Sequence, residues 1–110
     1  MGKRVVRAES VVEGMGPYSQ CIQAGGFLFV AGQVAWDREG KVVGPGDVAV
    51  QARQCFDTWS SVEAAGASMD DVVKVNFFLT DISHVGKVRA PARSIFALPY
   101  PATWSKCPSW

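Results

Sequence analysis

The chain has 110 residues, 48% of them hydrophobic and 19% charged, the make-up of one ordered domain with a single small core rather than of a disordered or fibrous segment. Its formal net charge is +1 and its basic cluster, Lys3, Arg4 and Arg7, is short, so no long-range field is available to gather nucleic acid. Cys21, Cys55 and Cys107 fit neither paired zinc ligands nor a disulfide framework, no apolar run reaches membrane-spanning length, and the start lacks a signal-peptide core, which together point to a reducing, cytoplasmic setting.

In chain order, residues 3–7 form a short valine-bearing run that suits an edge strand, broken by Gly14, Gly16 and Pro17. Residues 21–24 and 27–31 flank Gly25-Gly26 and predict a hairpin, with Cys21 as a small core residue. Asp37-Arg38-Glu39-Gly40 reads as a second turn. Gly44-Pro45-Gly46 then leads to Asp47, a favoured helix N-cap. From there Val48, Ala52, Cys55, Phe56, Trp59 and Val62 recur at three- and four-residue steps, which predicts a helix over 47–65 stopped by Gly66.

Residues 72–79 are rich in β-branched and aromatic side chains, and alternation places Val73, Val75, Phe77 and Leu79 on a core face. Lys74, Asn76 and Phe78 fall on the other, a mixed face suited to a pocket or a subunit interface. Asp81 or Ser83 can cap a second helix carrying Val85, Val88, Ala92, Ile95 and Phe96. Pro91 in its middle costs about 3 kcal/mol and predicts a kink or a split. The order strand, strand, strand, helix, strand, helix implies one α+β domain over 1–110, with both helices against one face of a sheet. So small a domain leaves much apolar area to bury, which favours an oligomer.

Five stretches carry a resemblance: Gly16-Pro17-Tyr18-Ser19-Gln20, Phe29-Val30-Ala31-Gly32-Gln33, Asp47-Val48-Ala49-Val50-Gln51-Ala52-Arg53-Gln54, Glu63-Ala64-Ala65-Gly66, and Asp71-Val72-Val73-Lys74-Val75 with Leu79-Thr80-Asp81. In this order and with these gaps they are similar to the Rid/YjgF family, proteins that clear reactive imines and enamines and some of which carry a ribonuclease label. The resemblance implies a two-layer fold like that of bacillus-type chorismate mutase, with a mixed sheet and two helices on one face. It also implies a homotrimer with pockets between subunits for a small imine, enamine or 2-oxo acid, and neither metal nor cofactor. In active members an arginine holds the substrate carboxylate, a tyrosine and the backbone before a Gly-Gln pair line the pocket, and a late glutamate positions the attacking water. Carried over, this makes Tyr18, Ala31 and Gly32 substrate-binding candidates, joined by Asn76 from the mixed strand face. Chemistry of this kind needs a guanidinium to grip the carboxylate and an acid or base to manage protons at the C=N carbon.

This chain departs from the pattern in several places. Ala31 brings no hydroxyl, so its hydrogen bonds must come from the backbone, and the helix before Glu63 is one residue shorter than in the family. The arginine belongs to a Pro-Ala-Arg-Ser or Pro-Ala-Arg-Thr stretch. Pro91-Ala92-Arg93-Ser94 matches it by letter, but leaves too few residues after Asp81 for the second helix. Pro101-Ala102-Thr103 keeps helix and spacing, and on that placement the arginine is absent and Arg93 lies on a helix.

Beyond Thr103 the run Trp104-Ser105-Lys106-Cys107-Pro108-Ser109-Trp110 lacks alternation and does not read as a strand. Back-translated as ACC TGG TCG AAG TGT CCG TCC TGG, it becomes Thr-Leu-Val-Glu-Val-Ser-Val-Leu when one C is restored after ACC. The restored string alternates like the family's late strand. A one-base deletion would therefore account for the tail, with loss of the late glutamate and of the final strand.

Other polar residues have plainer readings. His84 follows a helix cap with no serine or cysteine partner, Asp70-Asp71 suits a turn, and Arg53 and Arg89 suit solvated helix faces, Arg89 within reach of the cleft. The expectation is a deaminase-like protein with impaired imino-acid activity. The alternatives are a non-catalytic trimeric binding protein and, least of all, a ribonuclease, for which a basic, aromatic-studded face is missing.

Overall fold

Four residues on either side of Gly25-Gly26 pair as the hairpin of β2 (Cys21–Ala24) and β3 (Phe27–Val30), with Ala24 opposite Phe27. The computed structural model describes residues 2–7, 20–96 and 102–107. β1 (Lys3–Val6) adds antiparallel to β2, bringing Val6 opposite Cys21, and both are buried. The second turn also forms. The Asp37 carboxylate accepts from the backbone N–H groups of Glu39 and Lys41, both at 2.9 Å, and Trp36 bridges to Val42.

Gly44 follows with φ +64°, where a Cβ would stand 2.6 Å from Val50 Cγ1, so any side chain there would be both strained and blocked. The next helix, α1, spans Val48–Trp59, and Asp47 caps it by accepting the Val50 N–H at 3.1 Å. Ser60–Ala65 then continues as a 3₁₀ helix rather than as the α-helix the periodicity predicts. Gly66, at φ +84°, ends it and donates its N–H to the Glu63 carbonyl.

β4 spans Val75–Leu79 and buries Val75 and Phe77 while exposing Asn76 and Phe78, as the alternation requires. Val73 does not join the core face: it is 67% exposed, because the strand begins only at Val75, after a 3₁₀ turn at Met69–Asp71 closed by the Ser68–Asp71 capping box. A short 3₁₀ turn at Ile82–His84 leads into α2 (Val85–Ile95).

The helix is not split at Pro91, and α2 runs through it. The missing N–H leaves only the carbonyl of Lys87, an exposed residue, without its helical donor, while the Pro91 ring and Ala92 are buried against the core.

The tail also departs from expectation. Ala102–Lys106 forms β5, parallel to β4, with Asn76 opposite Thr103 and Phe77 opposite Trp104. A parallel pair needs a crossover, which α2 supplies. One core-facing side chain is enough to seat β5: Trp104 stacks on Phe77 at 4.2 Å and 10°, the guanidinium of Arg89 lies 5.7 Å from its ring, and the strand ends at Lys106. Arg89 stays exposed on its helix face, as expected, with its guanidinium over the tryptophan ring.

The main core joins Ala52 and Phe56 of α1, Val75 and Phe77 of β4, Val88 and Ala92 of α2, and Phe96. Both helices therefore cover one face of β4 and β5, as predicted. Antiparallel and parallel pairing both occur, in two sheets of order β1-β2-β3 and β4-β5 among the described residues. The opposite faces stay open, with Phe27 and Phe29 each 63% and Phe78 64% exposed.

Candidate functional site

The parallel register lines up polar groups on the uncovered face of β4 and β5. Asn76 and Thr103 are paired and exposed. Lys74, immediately before β4 and on the same alternating face, donates from Nζ to Thr103 Oγ1 at 2.7 Å. This hydroxyl is the lysine's only partner among the described residues. Phe78 and Ser105, also paired, continue the face, so the row Lys74, Asn76, Phe78, Thr103 and Ser105 holds a cation, neutral donors and an apolar ring, but no carboxylate and no histidine.

A second group of candidates follows β3. Ala31 donates its N–H to the Gln20 carbonyl at 2.8 Å. The Gln33 side-chain amide donates to the Ala31 carbonyl and to Gln20 Oε1, both at 2.9 Å. The backbone of Ala31 is therefore engaged on both sides, with one carbonyl lone pair left to offer. Gly32 is exposed, and its N–H donates to no described residue. The loop is tied to α1 from beneath, where the Cys55 thiol donates to the Gln33 carbonyl at 3.6 Å.

Burial pushes the Cys55 thiol up to about 11, which leaves it protonated at neutral pH and a poor nucleophile. Cys55 belongs to the apolar stripe of α1 and is half-buried, whereas Cys21 is fully buried.

Tyr18 lies outside the described residues. Arg93 sits exposed on α2, in helical geometry that continues to Ile95, and not on a strand. Within one chain the structure joins Asn76 to Thr103 and Lys74, and Ala31 to Gln20 and Gln33, on two separate sheets. Alternation alone puts Lys74 on the mixed face without marking it as a site residue. The signal for it was its shared parity with Asn76, which becomes telling only once Thr103 lies opposite.

His84 keeps its plain reading, since its Nε2 stands 3.6 Å from Asp81 at the start of α2. Donation to Asp81 from the Ser83 hydroxyl at 2.6 Å, and then from the Ser83 backbone N–H at 3.0 Å, holds the Asp81 carboxyl below its usual range. Among the described residues no group of three or more His, Cys, Asp or Glu converges as a metal site would need. None of their helices is long and apolar enough to cross a membrane. An open depression lined by Gly2, Lys3, Arg4, Gln23 and Gly25 shares no residue with the candidates.

Comparison with known proteins places this arrangement. The family profile described as Endoribonuclease L-PSP matches residues 9–106. A RutC family protein of Pyrococcus horikoshii is 38% identical over 101 residues, which cover 91% of this chain and 80% of that relative. A protein of Dermatophagoides farinae named 2-iminobutanoate/2-iminopropanoate deaminase is 32% identical over 91% of this chain and 79% of its own length. Among solved structures, RidA from an Antarctic Psychrobacter superposes with a TM-score of 0.82 at 28% identity, over 96% of this chain and 85% of that one. Yeast Mmf1 shares the fold with a TM-score of 0.87 at 24% identity, over 99% of this chain and 88% of its own.

Proposed function

Because this chain belongs to the Rid/YjgF family, the family of the endoribonuclease L-PSP profile, we propose that it binds small imines, enamines or 2-oxo acids and deaminates simple 2-imino acids only slowly. The observation that carries this reading is Thr103 on β5, opposite Asn76, at the place where the Pro-Ala-Arg motif would put its arginine. Arg93, the letter match, is on the outside of α2 instead. The substrate carboxylate then lacks a bidentate, charge-assisted partner, an interaction of about 1.5–3 kcal/mol.

The cleft itself is proposed to form between subunits of a homotrimer with a chorismate mutase-like fold, where Ala31 and Gly32 of one chain, with Tyr18, meet Asn76 of the next. Exposed Phe27, Phe29 and Phe78 support this, because so much uncovered aromatic surface on a small domain favours burial between copies. Light scattering is expected to report a trimer, or a monomer–trimer equilibrium, at micromolar concentration; a stable monomer would overturn the assembly.

A non-catalytic binding protein is the second reading, favoured by the absence of a carboxylate or histidine on the described β4–β5 face. Nucleic-acid chemistry is not favoured, given the net charge of +1. A one-base deletion after the Thr103 codon accounts for the composition of residues 104–110, and sequencing the gene across codons 100–110 tests it.

Catalysis is tested by following ketone release from 2-iminopropanoate. The expected rate is near background, and Arg93→Ala is expected to leave it unchanged. A robust rate abolished by Arg93→Ala would transfer the site to α2 and overturn the proposal.

A further inference from the structure

We infer that Lys74, working through Thr103 and beside Asn76, is the anion-recognition residue of this protein, and that its ligand is a small monocarboxylate with a short apolar tail. The inference rests on the small-molecule reading above and names the group that grips the ligand.

An ammonium has three donors and no acceptor. On Lys74 one of them is used, in the 2.7 Å bond to Thr103 Oγ1. Two remain, and the charge remains whole, because its only described partner is a neutral hydroxyl and the face carries no carboxylate. By accepting from Lys74, the Thr103 hydroxyl turns its own O–H outward as a further donor, and the Asn76 amide adds two more on the paired residue.

Asn76 and Thr103 are held by the β4–β5 pairing, and Lys74, one residue ahead of β4, is tied to them through its bond to Thr103. Phe78, two residues along β4 and 64% exposed, supplies the apolar wall that a hydrocarbon tail would meet. The combination of one unneutralised cation, neutral donors and an aromatic ring fits a 2-oxo or 2-imino carboxylate. It does not provide the several cations a polyanion would need. Lysine is also a point charge without the planar fork of a guanidinium. It attracts a carboxylate but does not fix its orientation, which agrees with weak binding and slow turnover.

The test is calorimetric titration of the full chain with 2-oxobutanoate and, as the uncharged control, butan-2-one. The wild-type protein is expected to bind 2-oxobutanoate, less tightly as salt is added, and to prefer it to butan-2-one. Lys74→Met is expected to weaken 2-oxobutanoate by about ten-fold or more, leaving butan-2-one unchanged, whereas Lys74→Arg should stay within a few-fold of wild type. Because Lys74 is exposed, thermal unfolding of Lys74→Met should coincide with wild type, which separates lost binding from lost folding. Equal binding of 2-oxobutanoate by Lys74→Met and wild type would overturn the inference while leaving the cleft reading in place. Failure of the wild-type protein to bind 2-oxobutanoate at all would overturn both.

Discussion

Truncating Phe56 to alanine should destabilise the protein by about 3–5 kcal/mol, a large part of the roughly 5–15 kcal/mol that holds a typical domain folded. Phe56 is buried on α1 and is where the two layers meet. Its ring stands edge-on to Phe77 of β4 at 6.2 Å and edge-on to Phe96, just past α2, at 5.1 Å. Each such aromatic pair adds about 0.5–1.5 kcal/mol beyond burial, and both are lost together with the ring. The cavity would open against the β4 side that seats Trp104, so the cost should extend to β5. Urea unfolding followed by tryptophan fluorescence measures it. A midpoint within error of wild type would mean that the helices do not share one core through this ring.

Replacing Thr103 by arginine is expected to raise kcat/KM for 2-iminopropanoate by about ten-fold to a hundred-fold, the gain from adding one charge-assisted bidentate contact. Thr103 is exposed and paired with Asn76, so the longer side chain has room on the uncovered face. The introduced guanidinium would stand beside Lys74, and their mutual repulsion is tempered by solvent on this face. The same change should tighten 2-oxobutanoate. Tighter binding with no rise in kcat/KM would assign the pocket to binding alone, because an interaction equally strong in ground and transition states raises kcat/KM of an active site even where kcat is unchanged.

The parts of the fold legible in the sequence are those specified locally. The Gly25-Gly26 hairpin, the Asp47 cap, the α1 stripe and the Gly66 stop each depend on residues within a few positions of one another. Where the reading failed, distant partners decided. β5 has weak alternation of its own and is held by β4 pairing and by a ring of Phe77, which no local pattern records. Pro91 stays helical because its buried ring offsets a lost bond, a balance set by the neighbours of α2.

The site divides in the same way. Asn76 could be placed on the open face from parity alone. The Lys74–Thr103 bond could not, because its partners are separated by the whole crossover helix and meet only through the parallel register. Ala31 and Gly32 rest on the resemblance, and no local pattern signals that Gln33 and Gln20 engage the backbone at Ala31.

The 3₁₀ segment after α1 bears on how such a chain tolerates a deletion. An α-helix turns about 100° per residue and a 3₁₀ helix about 120°. The six residues of Ser60–Ala65 therefore sweep about 720°, close to the roughly 700° that seven α-helical residues would cover. Wound this way, six residues bring Val62 into the core and deliver Gly66 at nearly the phase that seven α-helical residues would reach. Length and phase are separable quantities at this helix end, and an insertion here would be accommodated by relaxing the winding back to α rather than by rotating the segment that follows.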